Sequence, residues 1–230
     1  MVEAEFDRYA ESYRDQHQSS VAFGGFELDY FAWYKAQVAR RCCDEARQEP
    51  KRIMDFGSGL GNSLPPLREA FPDAFIECVD VSKESLAQCS RLNIENTATT
   101  AYDGQTLPYA DATFDLIFTA CVFHHIPQAD HVRLLSEIRR CLKPGGRFVL
   151  FEHNPLNPLT LLAVARCPFD DDAVLIGSWE MKRRLRQAGF GDVESRFRLF
   201  FPGFLKAFRG LEEFMERLPL GGQYYLNADV

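Results

Sequence analysis

Three glycines at alternate positions, Gly57, Gly59 and Gly61, follow a short apolar run that contains Asp55. Glycine has no Cβ, so such a turn can adopt strained backbone angles and lets a ligand lie against the main chain. The spacing G-x-G-x-G differs from the dinucleotide fingerprint G-x-G-x-x-G, and the Gly-Lys-Ser/Thr end of a phosphate loop is missing. The turn predicts a nucleotide-type binding corner, with a ligand-free βα turn as the alternative.

Acidic residues end the next two predicted strands. Residues 75–80 end at Asp80, about 20 residues past the glycines, where such an acid accepts hydrogen bonds from ribose hydroxyls. Capping of a helix that starts near Ser82 is the alternative function of Asp80. Residues 97–102 lead to Asp103, which either accepts from an exocyclic amine or belongs to an Asp-Gly turn.

The elements that position these residues alternate between strands and helices. Such alternation predicts a parallel sheet with helices on both faces and with ligands at the carboxyl ends of the strands. Before the glycine turn, residues 27–47 predict a helix with apolar residues on one side. Beyond the third strand, the pattern predicts a fourth strand that reaches 119–123, helices at 130–142, 178–189 and 203–217, and strands at 148–151, 193–201 and 223–227.

The ordered set of motifs resembles the class I S-adenosylmethionine-dependent methyltransferases that act on small molecules. The resemblance covers roughly residues 50–155, and its matching pieces are 55–61, Asp80, 103–104, 107–118, 124–127 and 142–148. Residues 6–13 also look like the N-terminal cap of that family, in which Tyr9 or Tyr13 would close over the cofactor, with packing in a helix core as the alternative for these tyrosines.

The resemblance implies a fold and a cofactor. We expect an α/β fold: a doubly wound, Rossmann-like, seven-stranded, mostly parallel sheet with helices on both faces, an N-terminal helical cap and C-terminal insertions. Family topology makes the seventh strand antiparallel. We expect one methyltransferase domain over 1–230, with the cap at 1–48, the cofactor-binding core at 49–152 and acceptor-side elements at 153–230. The implied cofactor is S-adenosyl-L-methionine, whose product is S-adenosyl-L-homocysteine.

The resemblance also assigns cofactor contacts. Gly57, Ser58 and Gly59 would hold the methionyl part, Asp80 the ribose, and Asp103 with Gly104 the adenine. The other implied cofactor-binding residues are Asp55, Gly61, Val81, Ala120 and Cys121. Lys35 could meet the cofactor carboxylate as a point charge, although a surface lysine is the default expectation.

Histidines at strand ends are the candidate catalytic residues. A methyl sulfonium is already activated, so alignment of the acceptor supplies much of the rate. A hydroxyl acceptor also benefits from a base, which at neutral pH is usually histidine. His153, after the fifth strand, is the preferred base, with a turn function as its alternative. His124 could face either way, and a structural hydrogen bond is favoured for His125.

The expected acceptor is a small or lipid-linked molecule that is methylated at oxygen, with carbon and nitrogen left open. The fourth strand lacks the Asn/Asp-Pro-Pro-Tyr box of amino-group methylases. The sequence shows no Asp/Asp/Asn pattern like the magnesium site of catechol-type enzymes, so we expect metal-free transfer. Apolar and aromatic residues crowd positions 199–218, which favours an apolar acceptor pocket, a dimer face or a membrane-surface contact.

Composition limits the remaining classes. The 230 residues carry a formal net charge of −7, which argues against a nucleic-acid partner. Seven scattered cysteines without a C-x-x-C pair predict reduced thiols in a reducing compartment. Without a signal pattern or a long uncharged apolar run, we expect a cytoplasmic protein that does not span a membrane.

Two functional alternatives stay open. The first is a protein that binds S-adenosylmethionine without turnover, as a sensor or an assembly partner. The second is an NAD-binding oxidoreductase, which the glycine spacing and residues 142–147 disfavour. The sequence leaves the oligomeric state, the pathway and the identity of the acceptor open.

Overall fold

The computed structural model describes residues 28–167, 170, 172–201 and 203–230, so the predicted cap segment at 6–13 lies outside the described residues. Within the described part, seven strands form one sheet. The strands are β1 (Arg52–Phe56), β2 (Phe75–Asp80), β3 (Thr97–Ala101), β4 (Phe114–Ala120), β5 (Leu142–His153), β6 (Val193–Arg198) and β7 (Gln223–Asp229).

The strand order in the sheet is β3-β2-β1-β4-β5-β7-β6. Neighbouring strands from β3 to β5 run parallel, whereas β7 is antiparallel to both β5 and β6. The order reverses between β1 and β4, and open α/β sheets bind ligands at the carboxyl ends of the strands beside such a reversal. The predicted seven-stranded, mostly parallel sheet is confirmed, and so is the antiparallel seventh strand.

Helices follow the strands and begin at residues suited to capping. Ser82 Oγ accepts from the Ser85 N–H at the start of α3, and Asn157 accepts from the Thr160 N–H at the start of α5. The α-helices are α1 (Leu28–Glu45), α2 (Leu64–Ala70), α3 (Lys83–Ser90), α4 (His131–Cys141), α5 (Pro158–Val164), α6 (Ser178–Gln187) and α7 (Glu212–Met215). In the described part of the chain, none of the helices combines the length and apolar character that a membrane crossing requires.

Apolar side chains cover both faces of the sheet. Ile53 and Met54 of β1 point to opposite faces because successive strand residues alternate. Met54 belongs to a cluster that includes Leu185 of α6. Ile53 belongs to a second cluster, which includes Val38 of α1 and Leu67 of α2. Helices therefore pack on both faces, as predicted.

Three predicted strand boundaries are wrong. The fourth strand ends at Ala120 rather than at 123, because a 3₁₀ turn covers Phe123–His125. The fifth strand covers Leu142–His153 rather than 148–151, because Leu142 already pairs with Phe114 of β4. The sixth strand ends at Arg198 rather than at 201, because Leu199 has a φ of 65°, outside the β region. The predicted helices at 27–47, 130–142 and 178–189 agree with α1, α4 and α6 to within two residues at each end.

Residues 203–217 do not form the single predicted helix. They form a 3₁₀ segment, Gly203–Leu211, in which Leu205 has non-helical angles of φ −107° and ψ 21°, followed by the short α7. The first residue of α7, Glu212, accepts hydrogen bonds from the backbone N–H groups of Leu199 and Phe200. This buried carboxylate attaches the segment to the end of β6.

Candidate functional site

The glycine turn after β1 is held against the end of β2 by hydrogen bonds. The N–H groups of Gly57 and Ser58 donate to the Val79 carbonyl oxygen at 2.7 and 3.2 Å. The Gly59 N–H donates to Asp80 Oδ2 at 2.8 Å. We call residues 55–61, 80–82 and 102–104, at the carboxyl ends of β1, β2 and β3, the glycine edge.

Gly57 and Gly59 require glycine for different reasons, although both have positive φ angles, of 72° and 51°. A Cβ on Gly57 would lie 2.4 Å from Val122 Cγ2, so packing against the segment after β4 excludes a side chain. A Cβ on Gly59 would meet no atom of the described residues within 4 Å. The main chain at Gly59 is therefore open to close approach by a ligand.

Buried polar atoms at these strand ends lack a hydrogen-bond partner among the described residues. They are Asp55 Oδ2, Ser58 Oγ and Thr119 Oγ1. Burial raises the pKa of Asp55 to about 7, and the neighbouring Asp80 carboxylate adds to the rise. Because a buried carboxyl without a partner is costly, a ligand with a cationic N–H donor would stabilise Asp55.

Asp80 holds the turn but does not cap α3, so the capping alternative is wrong. Its Oδ1 accepts from the Ser82 N–H at 2.9 Å, while the capping oxygen of α3 belongs to Ser82 itself. A carboxylate offers about four acceptor sites. Asp80 therefore joins the glycine turn to the residues that follow β2.

Asp103 adopts the Asp-Gly turn that the sequence allowed. Its Oδ1 accepts from the N–H groups of Thr106 and Gln105, both at 2.8 Å, and these hydrogen bonds lower the pKa of the exposed carboxyl. A Cβ on Gly104 would lie 3.7 Å from Val81 Cγ1. Gly104 and Val81 are therefore neighbours at the ends of β3 and β2.

Gly61 and Ala120 are two further predicted cofactor-binding residues. The Gly61 N–H donates to the Ser58 carbonyl at 2.9 Å, and a Cβ on Gly61 would lie 2.6 Å from Cys89 Sγ of α3. Gly61 is thus required for packing of the turn against α3. Ala120 is the last residue of β4 and pairs with Phe151 of β5.

All three predicted histidines meet at the carboxyl ends of β4 and β5. The ring centroid of His124 lies 4.1 Å from that of His125 and 5.1 Å from that of His153. The His124 and His125 Nε2 atoms lie 3.5 and 3.6 Å from Asp170 Oδ1. We call this group the histidine edge, and its members are Cys121, His124, His125, Glu152, His153 and Asp170.

Glu152 fixes the segment that follows β4. Its Oε1 accepts from the N–H groups of Val122 and Phe123, and its Oε2 lies 2.6 Å from His124 Nδ1. Burial opposes ionisation of Glu152, but the His124 charge and the hydrogen bonds outweigh it and lower the carboxyl pKa to about 2. Burial likewise opposes the charge on His124, yet Glu152 and Asp170 outweigh it and raise the pKa of the imidazole well above its usual range.

The pKa of His125 shifts in the opposite direction to that of His124. Burial and the charge on His124 together lower the pKa of His125. Its Nδ1 lies 3.5 Å from Asp172 Oδ1. The two neighbouring imidazoles therefore have pKa values that are shifted apart.

Cys121 lies between Lys35 of α1 and His153. Lys35 is buried, with its Nζ 3.3 Å from Cys121 Sγ, so the expectation of a surface lysine is wrong. Burial raises the pKa of the Cys121 thiol, but Lys35 and His153 outweigh it and lower that pKa to about 7. The Gln223 Nε2 atom lies 3.5 Å from His153 Nδ1 and 3.6 Å from Cys121 Sγ, while its Oε1 accepts from the Tyr34 hydroxyl.

Comparisons with known proteins identify the family of this chain. Residues 54–150 match the family model described as a methyltransferase domain. The malonyl-(acyl-carrier protein) O-methyltransferase of Geobacter sulfurreducens is 31% identical over 198 residues, which cover 78% of this chain and 72% of that protein. The chain belongs to the class I S-adenosylmethionine-dependent methyltransferases.

Two further proteins are similar to this methyltransferase. The fatty-acid O-methyltransferase of Mycolicibacterium smegmatis is 29% identical over 130 residues, which cover 56% of this chain and 47% of that protein. The solved structure of a possible histamine N-methyltransferase from Thermotoga maritima has a TM-score of 0.69 at 18% identity and covers 97% of each chain. At that identity the second likeness supports the fold alone.

S-adenosylmethionine is the cofactor of the family to which the chain belongs. The glycine edge fits it chemically, because Asp55 Oδ2 lacks a donor among the described residues and the cofactor carries an amino group. The open side of Gly59 suits the same ligand. Membership in this family disfavours the nicotinamide oxidoreductase alternative.

Sequence reasoning missed several residues of the methyltransferase site, namely Glu152, Asp170, Gln223 and Tyr34. Glu152 carried a usable signal, because an acid that ends a buried apolar strand must be paired. Asp170, Gln223 and Tyr34 carried none. Each reaches the histidine edge from an element that is remote in the sequence.

Proposed function

We propose that the protein transfers a methyl group from S-adenosylmethionine to an oxygen atom of a small or lipid-linked acceptor. The similarity to the malonyl-(acyl-carrier protein) O-methyltransferase over 78% of the chain carries this proposal. The similarity to a fatty-acid O-methyltransferase supports the same acceptor group, a carboxyl group.

We assign the cofactor-binding residues from the glycine edge. Asp55 Oδ2 would accept from the amino group, and the open main chain of Gly59, with Gly57 and Ser58, would lie against the methionyl part. Asp80 would accept from the ribose hydroxyls. The remaining contacts that we assign are Asp103, Gly104 and Val81 for the adenine, and Ala120 and Cys121 near the sulfonium. When bound, the cofactor supplies an activated methyl group.

His153 is the residue that we assign to the acceptor. It ends β5 and is half-buried, whereas His124 is buried with its Nδ1 committed to Glu152. With a hydroxyl acceptor, the imidazole of His153 would remove the proton. A carboxylate acceptor has no proton to lose, and a ring N–H of His153 would then orient it through a hydrogen bond.

Exposed leucines next to the histidine edge support an apolar acceptor. The segment that follows His153 is joined to the loop before β7, because Asn157 Nδ2 donates to the Leu220 carbonyl and Thr160 Oγ1 to the Gly222 carbonyl. Exposed apolar side chains on these two segments are Leu156, Leu159, Leu161, Leu162, Leu218 and Leu220. Such a patch favours contact with an acyl chain over contact with a small polar metabolite.

Calorimetric titration with S-adenosylhomocysteine, beside NAD and an Asp80→Ala variant, tests the cofactor assignment. We expect binding of the thioether, no binding of NAD, and a loss of about 1–3 kcal/mol in Asp80→Ala, because the ribose hydroxyls lose a charged acceptor. Unchanged affinity in the variant would remove Asp80 from the site.

Methyl transfer from labelled S-adenosylmethionine to a panel of free fatty acids, acyl-carrier-protein thioesters and phenols tests the acceptor class. Product with a carboxyl-bearing chain supports the proposal. Cofactor binding without product from any acceptor would favour the non-catalytic alternative. The single-domain organisation over 1–230, the cytoplasmic location and the absence of a nucleic-acid partner stay predictions.

A further inference from the structure

Three residues of the histidine edge present metal-ligating atoms to one point. A ligand atom from each of His124, His125 and Asp170 lies within 4.8 Å of the others. The two nitrogen-to-oxygen separations, 3.5 and 3.6 Å, exceed the 2.7–3.2 Å typical of N–H···O hydrogen bonds. In a tetrahedral site with metal–ligand bonds of about 2.0–2.2 Å, two ligand atoms lie roughly 3.3–3.6 Å apart. The two separations match this distance.

The surroundings of His124 are those of a metal ligand. Its Nδ1 lies 2.6 Å from Glu152 Oε2 and donates to it, which leaves Nε2 on the side of Asp170. Metal-binding histidines commonly donate their other ring nitrogen to a carboxylate, which fixes the ring and its tautomer. Glu152 is itself held by two backbone N–H groups, so the orientation of His124 is set before any ion binds.

Hydrogen bonds join the segment that carries Asp170 to the histidine edge and to β7. The Val174 N–H donates to the His124 carbonyl at 2.9 Å. The Tyr224 hydroxyl of β7 donates to the Ile176 carbonyl at 2.8 Å. His124 is buried, while His125 and Asp170 are half-buried, and the two hydrogen bonds hold the segment that carries Asp170 beside the histidines.

We propose that His124, His125 and Asp170 bind one divalent transition-metal ion of the zinc type. Two imidazoles and one carboxylate suit Zn²⁺, and three protein ligands leave a fourth position for a water or an acceptor oxygen. The His153 ring lies near the three residues, with its centroid 5.1 Å from that of His124. The proposal replaces the expectation of metal-free transfer and does not depend on the proposed acceptor.

Equilibrium dialysis of the EDTA-treated protein against Zn²⁺ and against Co²⁺, followed by metal analysis, tests the site. We expect one ion per chain and, for Co²⁺, the strong visible absorption of a tetrahedral site. Asp170→Asn and His125→Gln should each lose at least about 100-fold in affinity, because each removes a ligand. The matched variant Asp172→Asn, whose carboxylate lies on the Nδ1 side of His125, should lose no more than about tenfold.

Thermal unfolding in EDTA shows which variants are folded, and either ligand variant alone suffices for the test. No stoichiometric binding by the parent protein would overturn the proposal. Parent-level affinity in the folded ligand variants would also overturn it, because the ion would then bind elsewhere. S-adenosylhomocysteine titration of the same metal-free samples keeps the two proposals separate, since cofactor binding without metal binding rejects only the metal site.

Discussion

The glycine edge and the histidine edge are built in opposite ways. At the glycine edge, Gly59 and Asp80 are 21 positions apart and belong to one βαβ unit. At the histidine edge, Lys35 contacts Cys121 across 86 positions, and Gln223 contacts Cys121 across 102. The cofactor half of the site is therefore specified by neighbouring residues, and the acceptor half by the assembly of the whole sheet.

This difference predicts that the two halves respond separately to substitution. The turn at Gly59 contacts Asp80 and the main chain of its own unit, whereas His153 contacts Cys121 in the segment after β4 and Gln223 of β7. A change at one edge should alter cofactor affinity, and a change at the other should alter turnover. Gly57 is the exception, because it packs against Val122 in the segment that carries the histidines.

The largest effect is expected for Gly59→Val. Valine disfavours a φ of 51°, and its side chain would occupy the open space at the turn. We expect affinity for S-adenosylhomocysteine to fall by at least about 100-fold, or about 2.7 kcal/mol. Isothermal titration calorimetry measures this loss.

Gly145→Val is the matched control. Gly145 also has a positive φ, 76°, with no described atom within 4 Å of its Cβ position, but it lies near the amino end of β5. Both variants should lose roughly 1–2 kcal/mol of unfolding free energy in urea from the left-handed backbone. An equal loss of ligand affinity in both would assign the effect to strain rather than to ligand contact.

His153→Ala should reduce kcat roughly 100-fold, because the acceptor loses its acid–base partner. The affinity for S-adenosylhomocysteine should stay within about twofold if the two edges are independent. Steady-state kinetics with the best acceptor and calorimetry on the same protein give both numbers. A silent His153→Ala with a large loss in His124→Ala would assign the function to His124.

The conservative variant His153→Gln sharpens the same assignment. Glutamine keeps a hydrogen-bond donor but cannot take up the proton of a hydroxyl acceptor. His153→Gln should therefore lose turnover with a hydroxyl acceptor and retain more of it with a carboxylate acceptor, as measured by steady-state kinetics with both. Parent-level turnover of His153→Gln with both acceptors would exclude both functions.

The smallest effect concerns the ionisation of Cys121. Its thiolate forms as the pH rises through about 7, whereas burial raises the pKa values of Cys42 and Cys43 to about 12. Iodoacetamide should therefore label Cys121 with a midpoint near neutral pH, as read by peptide mass spectrometry. Lys35→Met should shift that midpoint upward, and the exposed-site control Lys51→Met should not. An unchanged midpoint in Lys35→Met would show that Lys35 does not stabilise the thiolate.

The sequence predicted those parts of the fold that residues close together in the chain specify. Glycine spacing, an acid after each strand and alternating apolar runs placed β1, β2, β3 and the glycine turn, because each signal lies within a few residues of the element that it defines. Lys35 could not be placed in this way. A lysine on an amphipathic helix usually reaches solvent, and Lys35 is buried beside the thiol of Cys121 and near the Asp55 carboxyl, both remote from it in the sequence.

The wrong predictions in the second half of the chain also arise from contacts between residues that are remote in the sequence. Leu199 leaves the β region because Glu212 accepts from its N–H, and that acid comes from the following segment. The sequence of 142–147 resembles a turn with Pro144 and two glycines, yet β4 offers Leu142 a pairing partner. Asp170 joined the histidines without any local motif, because its position depends on a segment that returns from beyond β5.

The place of β7 between β5 and β6 also has a consequence for how the chain folds. Pairing β1 with β2 joins Ile53 to Ile76, whereas pairing β5 with β7 joins His153 to Gln223, about three times as far along the chain. Loop closure over three times the length costs about 1 kcal/mol more in chain entropy. We therefore expect the histidine edge to form after the glycine edge. A folding intermediate that lacks β7 would bind the cofactor before it can position an acceptor.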